Sequence, residues 1–132
     1  MIIPDSNIWI FAENSHSDEH ELATQKLKQL LNSTTFGINA IITSEVYHKL
    51  SKLIGPDEAL PRTINILEHP SAEWLDFSPN IAVSAIKLAN EKGIRINDAL
   101  IAQQALSLKA TVLTDDIKDF KKIDNLKILP LR

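Results

Sequence analysis

A chain of 132 residues with 44% hydrophobic side chains is long enough to bury a core and short enough for one domain. It has no cysteine, which excludes disulfides and thiolate metal sites. Its net charge of −3 excludes the global basic footprint of a nonspecific nucleic-acid binder, so a nucleic-acid partner would need metal ions or a local basic rim to offset repulsion.

The opening "MIIPDSNIWIF" starts with a short apolar run that Pro4 interrupts, so Pro4 is expected near the end of a strand and Asp5 where the strand leaves the sheet. "SDEHELATQKLKQLLN" carries Ala23, Leu27, Leu30 and Leu31 at helical spacing, with acids first and lysines later. "TTFGIN" is a brief strand. Ile42, Val46, Leu50 and Leu53 form one stripe of a helix over 41–54, which Gly55 can end. Pro56 starts a further helix, and Pro61 is expected to break or kink it. "AEWLDF" reads as a strand. Ser78, Pro79 and Gly93 are cap, first position and terminator of the next helix. Asn97 is expected to cap "DALIAQQALSLK", "ATVLT" is a strand that runs into acids, and "LKILPL" is the last strand.

Strands alternating with helices predict a three-layer α/β/α fold around a central parallel sheet of about four to five strands. There is no repeat, low-complexity tract or linker, so residues 1–132 are expected to form one domain. There is also no membrane-spanning run and no signal peptide with a basic start, and a cytoplasmic location is the expectation.

Four carboxylates occupy one kind of place. Asp5 follows the first strand and Asp116 follows "TVLT"; sites in open parallel sheets form outside the carboxyl ends of strands. Asp98 lies in the first turn of its helix, in line with the apolar Ile101, Ala102 and Ala105. Glu45 flanks a helical stripe beside Ile41 and Ile42. Taken one at a time, each has an ordinary explanation. Asp5 can cap a turn, and Asp98 can gain at most ~1 kcal/mol from the helix dipole. Glu45 can be solvated, and Asp115, Asp116 and Asp119 can be turn residues. Together they describe charges beside buried surface, which is costly unless something neutralises them. A hard divalent cation, Mg²⁺ or Mn²⁺, takes oxygen ligands of this kind.

Around these acids, Lys49, Lys52, Arg95, Lys118, Lys121 and Lys122 can form a basic rim for phosphates, or simply a solvated charged surface. His16 and His20 are four apart but lack the further ligands a zinc site needs. His48 and His69 stand alone and read as packing or surface residues. Trp9 and Trp74 sit in strand-like runs, which favours packing over base stacking. There is no nucleophile elbow and no glycine-rich phosphate loop.

"IIPDSNIWI", "ITSEVYHKL", "INDALIAQQA" and "VLTDDIKDF" resemble, in order and over nearly the whole chain, the four motifs of the PIN domain family. Carried over residue by residue, the resemblance makes Asp5, Glu45, Asp98 and Asp116 the four acids that hold the metal. Ser6, Asn7 and Thr114 match polar positions that support them. Asp115 competes locally with Asp116, and Asp119 belongs to an outer shell. Two departures are Pro4, which can shift Asp5, and Ser6 in place of the commoner threonine. The family resemblance implies a Mg²⁺- or Mn²⁺-dependent nuclease that hydrolyses RNA, and in-line attack by metal-bound hydroxide, leaving 5′-phosphate and 3′-hydroxyl ends, is the expected mechanism.

The chain's length is also similar to VapC-type toxins, which implies a toxin–antitoxin pair, a small antitoxin as protein partner and a homodimer. The antitoxin would lie in an apolar groove with the helices at 18–31 and 41–54 as walls. The alternatives are a PIN-fold binding module with little turnover and a non-toxin RNA-processing nuclease. A phosphatase of the haloacid-dehalogenase kind would need a second aspartate where Asn7 stands.

Overall fold

The computed structural model describes all 132 residues. Five strands form one parallel sheet: β1 (Ile2–Pro4), β2 (Phe36–Ile38), β3 (Ala72–Trp74), β4 (Thr111–Thr114) and β5 (Lys127–Pro130), in the order β3-β2-β1-β4-β5. Six helices cover it: α1 (Ser6–Glu13), α2 (His20–Leu31), α3 (Ala40–Ile54), α4 (Pro56–Leu67), α5 (Pro79–Lys92) and α6 (Ile96–Leu108). The three-layer α/β/α arrangement is the expected one. No helix is long and apolar enough to cross a membrane.

The strand order places the site. The chain builds outward from β1 through β2 to β3, then returns to the other side of β1 with β4 and β5. The gap between β1 and β4 is therefore the switch point of the sheet, where the two flanking connections diverge and leave a crevice beyond the strand ends. Asp5 leaves β1 there, and Asp115 and Asp116 leave β4 beside it. The register locks the two ends together: Pro4 pairs with Leu113, and the Asp5 amide donates to the Leu113 carbonyl at 2.8 Å. Toward β2 the ladder is shorter. Ile2 donates to Thr35, and Pro4, next in that alternation, has no N–H to give.

The core is built from Ile3, Phe36, Ile38, Val112 and Leu113 of the sheet and from Ile8, Ile42, Val46, Leu50 and Ile101 of the helices. In α6, Ala99, Ala102 and Ala105 are all fully buried, and their small side chains allow close approach of the helix backbone. α3 is fixed from beneath. Asn39 accepts from the Ile42 amide as N-cap at 2.9 Å, and its own amide donates to Gln104 Oε1 on α6 at 2.8 Å. Gln104 Nε2 in turn donates to the Asp76 carbonyl. Gln104→Ala removes this buried link and leaves the Asn39 amide and the Asp76 carbonyl unpaired. A loss of about 2–4 kcal/mol in unfolding free energy is expected by denaturant titration.

Several expectations need correction. The run after Asp5 is a helix, α1, and Trp9 packs from it onto Phe36 with ring centroids 4.8 Å apart. α4 continues through Pro61, because Pro61 and the Asp57 carbonyl it cannot bond both lie on the exposed face, where water can take the carbonyl. α6 begins one residue before Asn97, with Arg95 at the cap position and no side-chain cap. Trp74 is on an edge strand, half exposed, with its indole N–H given to Asp76. His16 lies in the turn before α2 and shares no helix with His20.

Candidate functional site

Asp5 is the N-cap of α1 and is only 6% exposed. Its Oδ1 accepts from the Ser6 amide at 2.8 Å and its Oδ2 accepts from the Thr114 hydroxyl at 3.2 Å. Thr114 is fully buried at the end of β4, and its oxygen accepts from the Asp116 amide at 3.1 Å and from Asn7 Nδ2 at 3.4 Å. Asn7 Oδ1 accepts from the Asp115 amide. A polar lattice of Ser6, Asn7 and Thr114 thus ties the ends of β1 and β4 together and orients the Asp5 carboxylate.

Burial pushes the Asp5 carboxyl up to about 6, with the charges of Asp98 and Glu45 adding to it and the bonds from Ser6 and Thr114 offsetting part of it. Asp98 is raised as well, by burial first. Arg95 opposes that rise, while Asp119 and then Asp116 add to it. Asp98 thus interacts by charge with Asp5, Asp119 and Asp116. Asp119 pairs with Lys122 at 3.4 Å.

Asp115 is taken elsewhere. Arg132 grips it with two bonds, at 3.0 and 2.9 Å, and reaches Glu19 as well. Asp116 has no such partner and is exposed just beyond the end of β4.

Glu45 is half-buried on α3, and Arg95 bridges it to Asp98, with Nη2 3.5 Å from Glu45 Oε2 and Nε 3.4 Å from Asp98 Oδ2. Asp5, Glu45 and Asp98 act on one another by charge, yet no three acids are grouped closely enough to hold a metal ion as they stand. Their donor chemistry fits Mg²⁺ or Mn²⁺: oxygen only, with a buried carboxylate, Asp5, that Arg95 does not reach. An open cleft of about 300 Å³ is lined by Ser6, Asn7, Ile10, Glu45, His48, Lys49 and Arg95. Lys49 and Arg95 thus sit where a rim was expected, while Lys52 and Lys118 are exposed outside this lining. His48 belongs to the cleft although it reads as an isolated residue. Its spacing three residues after Glu45, on one helical face, was the available signal.

The helices at 18–31 and 41–54 wall two separate grooves. α2 faces α1 across a cavity of about 430 Å³ bordered by Trp9, Ala12, Leu27 and Leu31. α3 faces α4 across Tyr47, Leu60 and Ile64.

A family model for the PIN domain matches residues 2–126. Ribonuclease VapC2 of Rickettsia felis is 32% identical to this chain over 127 residues, covering 92% of this chain and 91% of that protein. The crystal structure of VapBC2 from Rickettsia felis bound to a DNA fragment from their promoter matches with a TM-score of 0.78 at 30% identity, over 98% of both chains. Mycobacterium tuberculosis VapC20, a sarcin-ricin loop cleaving toxin, has the same fold, with a TM-score of 0.78 at 13% identity over 92% of this chain and 94% of its own.

Proposed function

This chain is a VapC-like member of the PIN domain family, and on that footing we propose that it is a Mg²⁺- or Mn²⁺-dependent endoribonuclease, the toxin of a type II toxin–antitoxin pair. The observation that carries the reading is Asp5, a buried carboxylate at the switch point of the sheet with Asp98 and Glu45 as charged neighbours.

Asp5, Asp98 and Asp116 would hold the divalent cation, with Glu45 as a further ligand or as the group that orients the attacking water. When bound, the cation supplies activation of water near neutral pH and neutralises charge on the phosphate and leaving oxygen. The protein's own part is positional. Thr114 and the Ser6 amide hold the Asp5 carboxylate in one orientation, and Asn7 holds the turn that carries Asp116. Glu45 lines the cleft, so its carboxylate would be placed either to bind the cation or to accept a hydrogen bond from the attacking water. Lys49, Arg95 and His48 line the cleft next to it and suit the flanking phosphates, with Lys52 and Lys118 farther out. Hydrolysis leaves 5′-phosphate and 3′-hydroxyl ends.

A small antitoxin and a homodimer complete the proposal. The relative called a ribonuclease and the similarity to a VapBC2 complex support both enzyme and partner. We assign the antitoxin segment to the cavity between α1 and α2, where Trp9, Ala12, Leu27 and Leu31 share the lining with polar residues including Glu13 and Lys28. The test of the enzyme reading is labelled RNA incubated with the protein. Cutting in Mg²⁺ or Mn²⁺ that stops under a chelator is expected; cutting that survives complete removal of divalent ions would sink it.

A further inference from the structure

We infer that Arg95 is an exchangeable internal counter-ion, which holds Glu45 and Asp98 when no divalent cation is bound and turns to an RNA phosphate when one is. The inference rests on the metal-site reading above and adds to it a coupling between cation and substrate.

Three observations carry it. First, Arg95 joins acids from two different elements, Glu45 on α3 and Asp98 on α6. Neither carboxylate is oriented by the Ser6 and Thr114 bonds that hold Asp5. Second, the hold is loose. The contacts are 3.5 and 3.4 Å, single rather than paired, and the guanidinium side chain is 68% exposed. Charge-assisted bonds that fix a side chain are shorter, about 2.7–2.9 Å. Third, the same guanidinium lines the open cleft with Lys49 and His48, so it needs no new path to reach a phosphate there.

A cation that takes Glu45 and Asp98 removes the partners of Arg95. The freed guanidinium then lies beside Lys49 with five donors and no acceptor, the geometry that phosphate oxygens satisfy. Until then the arginine competes with the cation for the same oxygens. Because coupling between two ligands is reciprocal, RNA should also tighten cation binding. The rival explanation is a structural clamp in which Arg95 only ties α3 to α6.

The experiment is calorimetric titration of Mn²⁺ alone into the wild type, Arg95→Gln and Arg95→Lys, each checked by thermal melting. A second measurement follows binding of a cleavage-resistant phosphorothioate RNA with and without Mn²⁺. Arg95→Gln is expected to bind Mn²⁺ about three- to tenfold more tightly, the scale of one or two partly exposed ion pairs lost. Arg95→Lys, which keeps the charge but loses the fork, should fall between. Mn²⁺ should tighten RNA binding to the wild type and do so less for Arg95→Gln.

Equal or weaker Mn²⁺ binding by folded Arg95→Gln would overturn the inference and leave the metal site standing. If Arg95→Gln fails to fold, Arg95→Lys decides, and Mn²⁺ binding no tighter than the wild type overturns the inference. No Mn²⁺ binding by any of the three, with or without RNA, would overturn the metal site and this inference together.

Discussion

Asp5→Asn is expected to melt at a higher temperature than the wild type in the presence of a chelator, and to have lost RNA cleavage. The carboxyl sits at about 6 in the folded protein, raised by burial and by the charges of Asp98 and Glu45. In the unfolded chain an aspartate titrates near ~3.9. The folded state therefore binds this proton more tightly than the unfolded one, and ionisation of Asp5 opposes folding. Stability should fall as pH rises from about 4 to about 6, with the penalty complete above that. Two pH units correspond to about 3 kcal/mol at most, and about 1–3 kcal/mol is the expected gain for the variant at pH 7. Asparagine keeps an oxygen for the Ser6 amide, so the cap of α1 survives. Melting curves from pH 4.5 to 8 provide the check: the gap between the two proteins should open with rising pH. A gap that does not depend on pH, or a less stable variant, would mean that the Asp5 charge is already compensated.

Asp98→Asn is expected to cut RNA at least about a hundredfold more slowly while remaining folded. Removal of one ligand takes away several kcal/mol of charge stabilisation from the transition state, and each ~1.4 kcal/mol is tenfold in rate. The structural cost is small. Asp98 gains at most ~1 kcal/mol from its place in the first turn of α6. Arg95 is its only hydrogen-bond and ion-pair partner, asparagine keeps nearly the same shape, and loss of the charge also relieves repulsion from Asp119 and Asp116. Initial cleavage rates in excess Mg²⁺ measure the effect. A rate within a few-fold of wild type would take Asp98 out of the ligand set.

The layers of the fold were legible because the apolar periods are local. The stripes Ala23–Leu27–Leu30 and Ile42–Val46–Leu50, and the cap set Ser78–Pro79–Gly93, each lie within one element and need no tertiary contact to be seen. α1 was not legible. "IWIF" is a continuous apolar run with β-branched residues, which resembles a buried strand, and the helix has only eight residues in which to show a period. Its one local clue is Asp5 before Ser6, since the same carboxylate that faces the site also caps the helix. The break expected at Pro61 failed because proline in the second turn on an exposed face costs one bond that water replaces.

In the site, residue types and strand ends were readable, while partnerships were not. Asp115 and Asp116 are alike in sequence, and what separates them is Arg132, seventeen positions on from Asp115. Arg95 reads as one charge in a rim; its contact with Glu45 joins residues 50 positions apart. No periodicity carries such a contact. The same holds for Thr114 and Asp5, whose 3.2 Å bond depends on β1 and β4 lying side by side in the sheet.

The most direct measurement is calorimetric titration of Mn²⁺ into the wild type and into Asp98→Asn, each first shown to be folded, with and without a short RNA. The account predicts saturable binding by the wild type and binding at least about tenfold weaker in the variant, as loss of one carboxylate ligand from a hard-cation site requires. Equal binding by the two proteins, or none by the wild type even with RNA present, would contradict a metal centre built on Asp5, Glu45, Asp98 and Asp116.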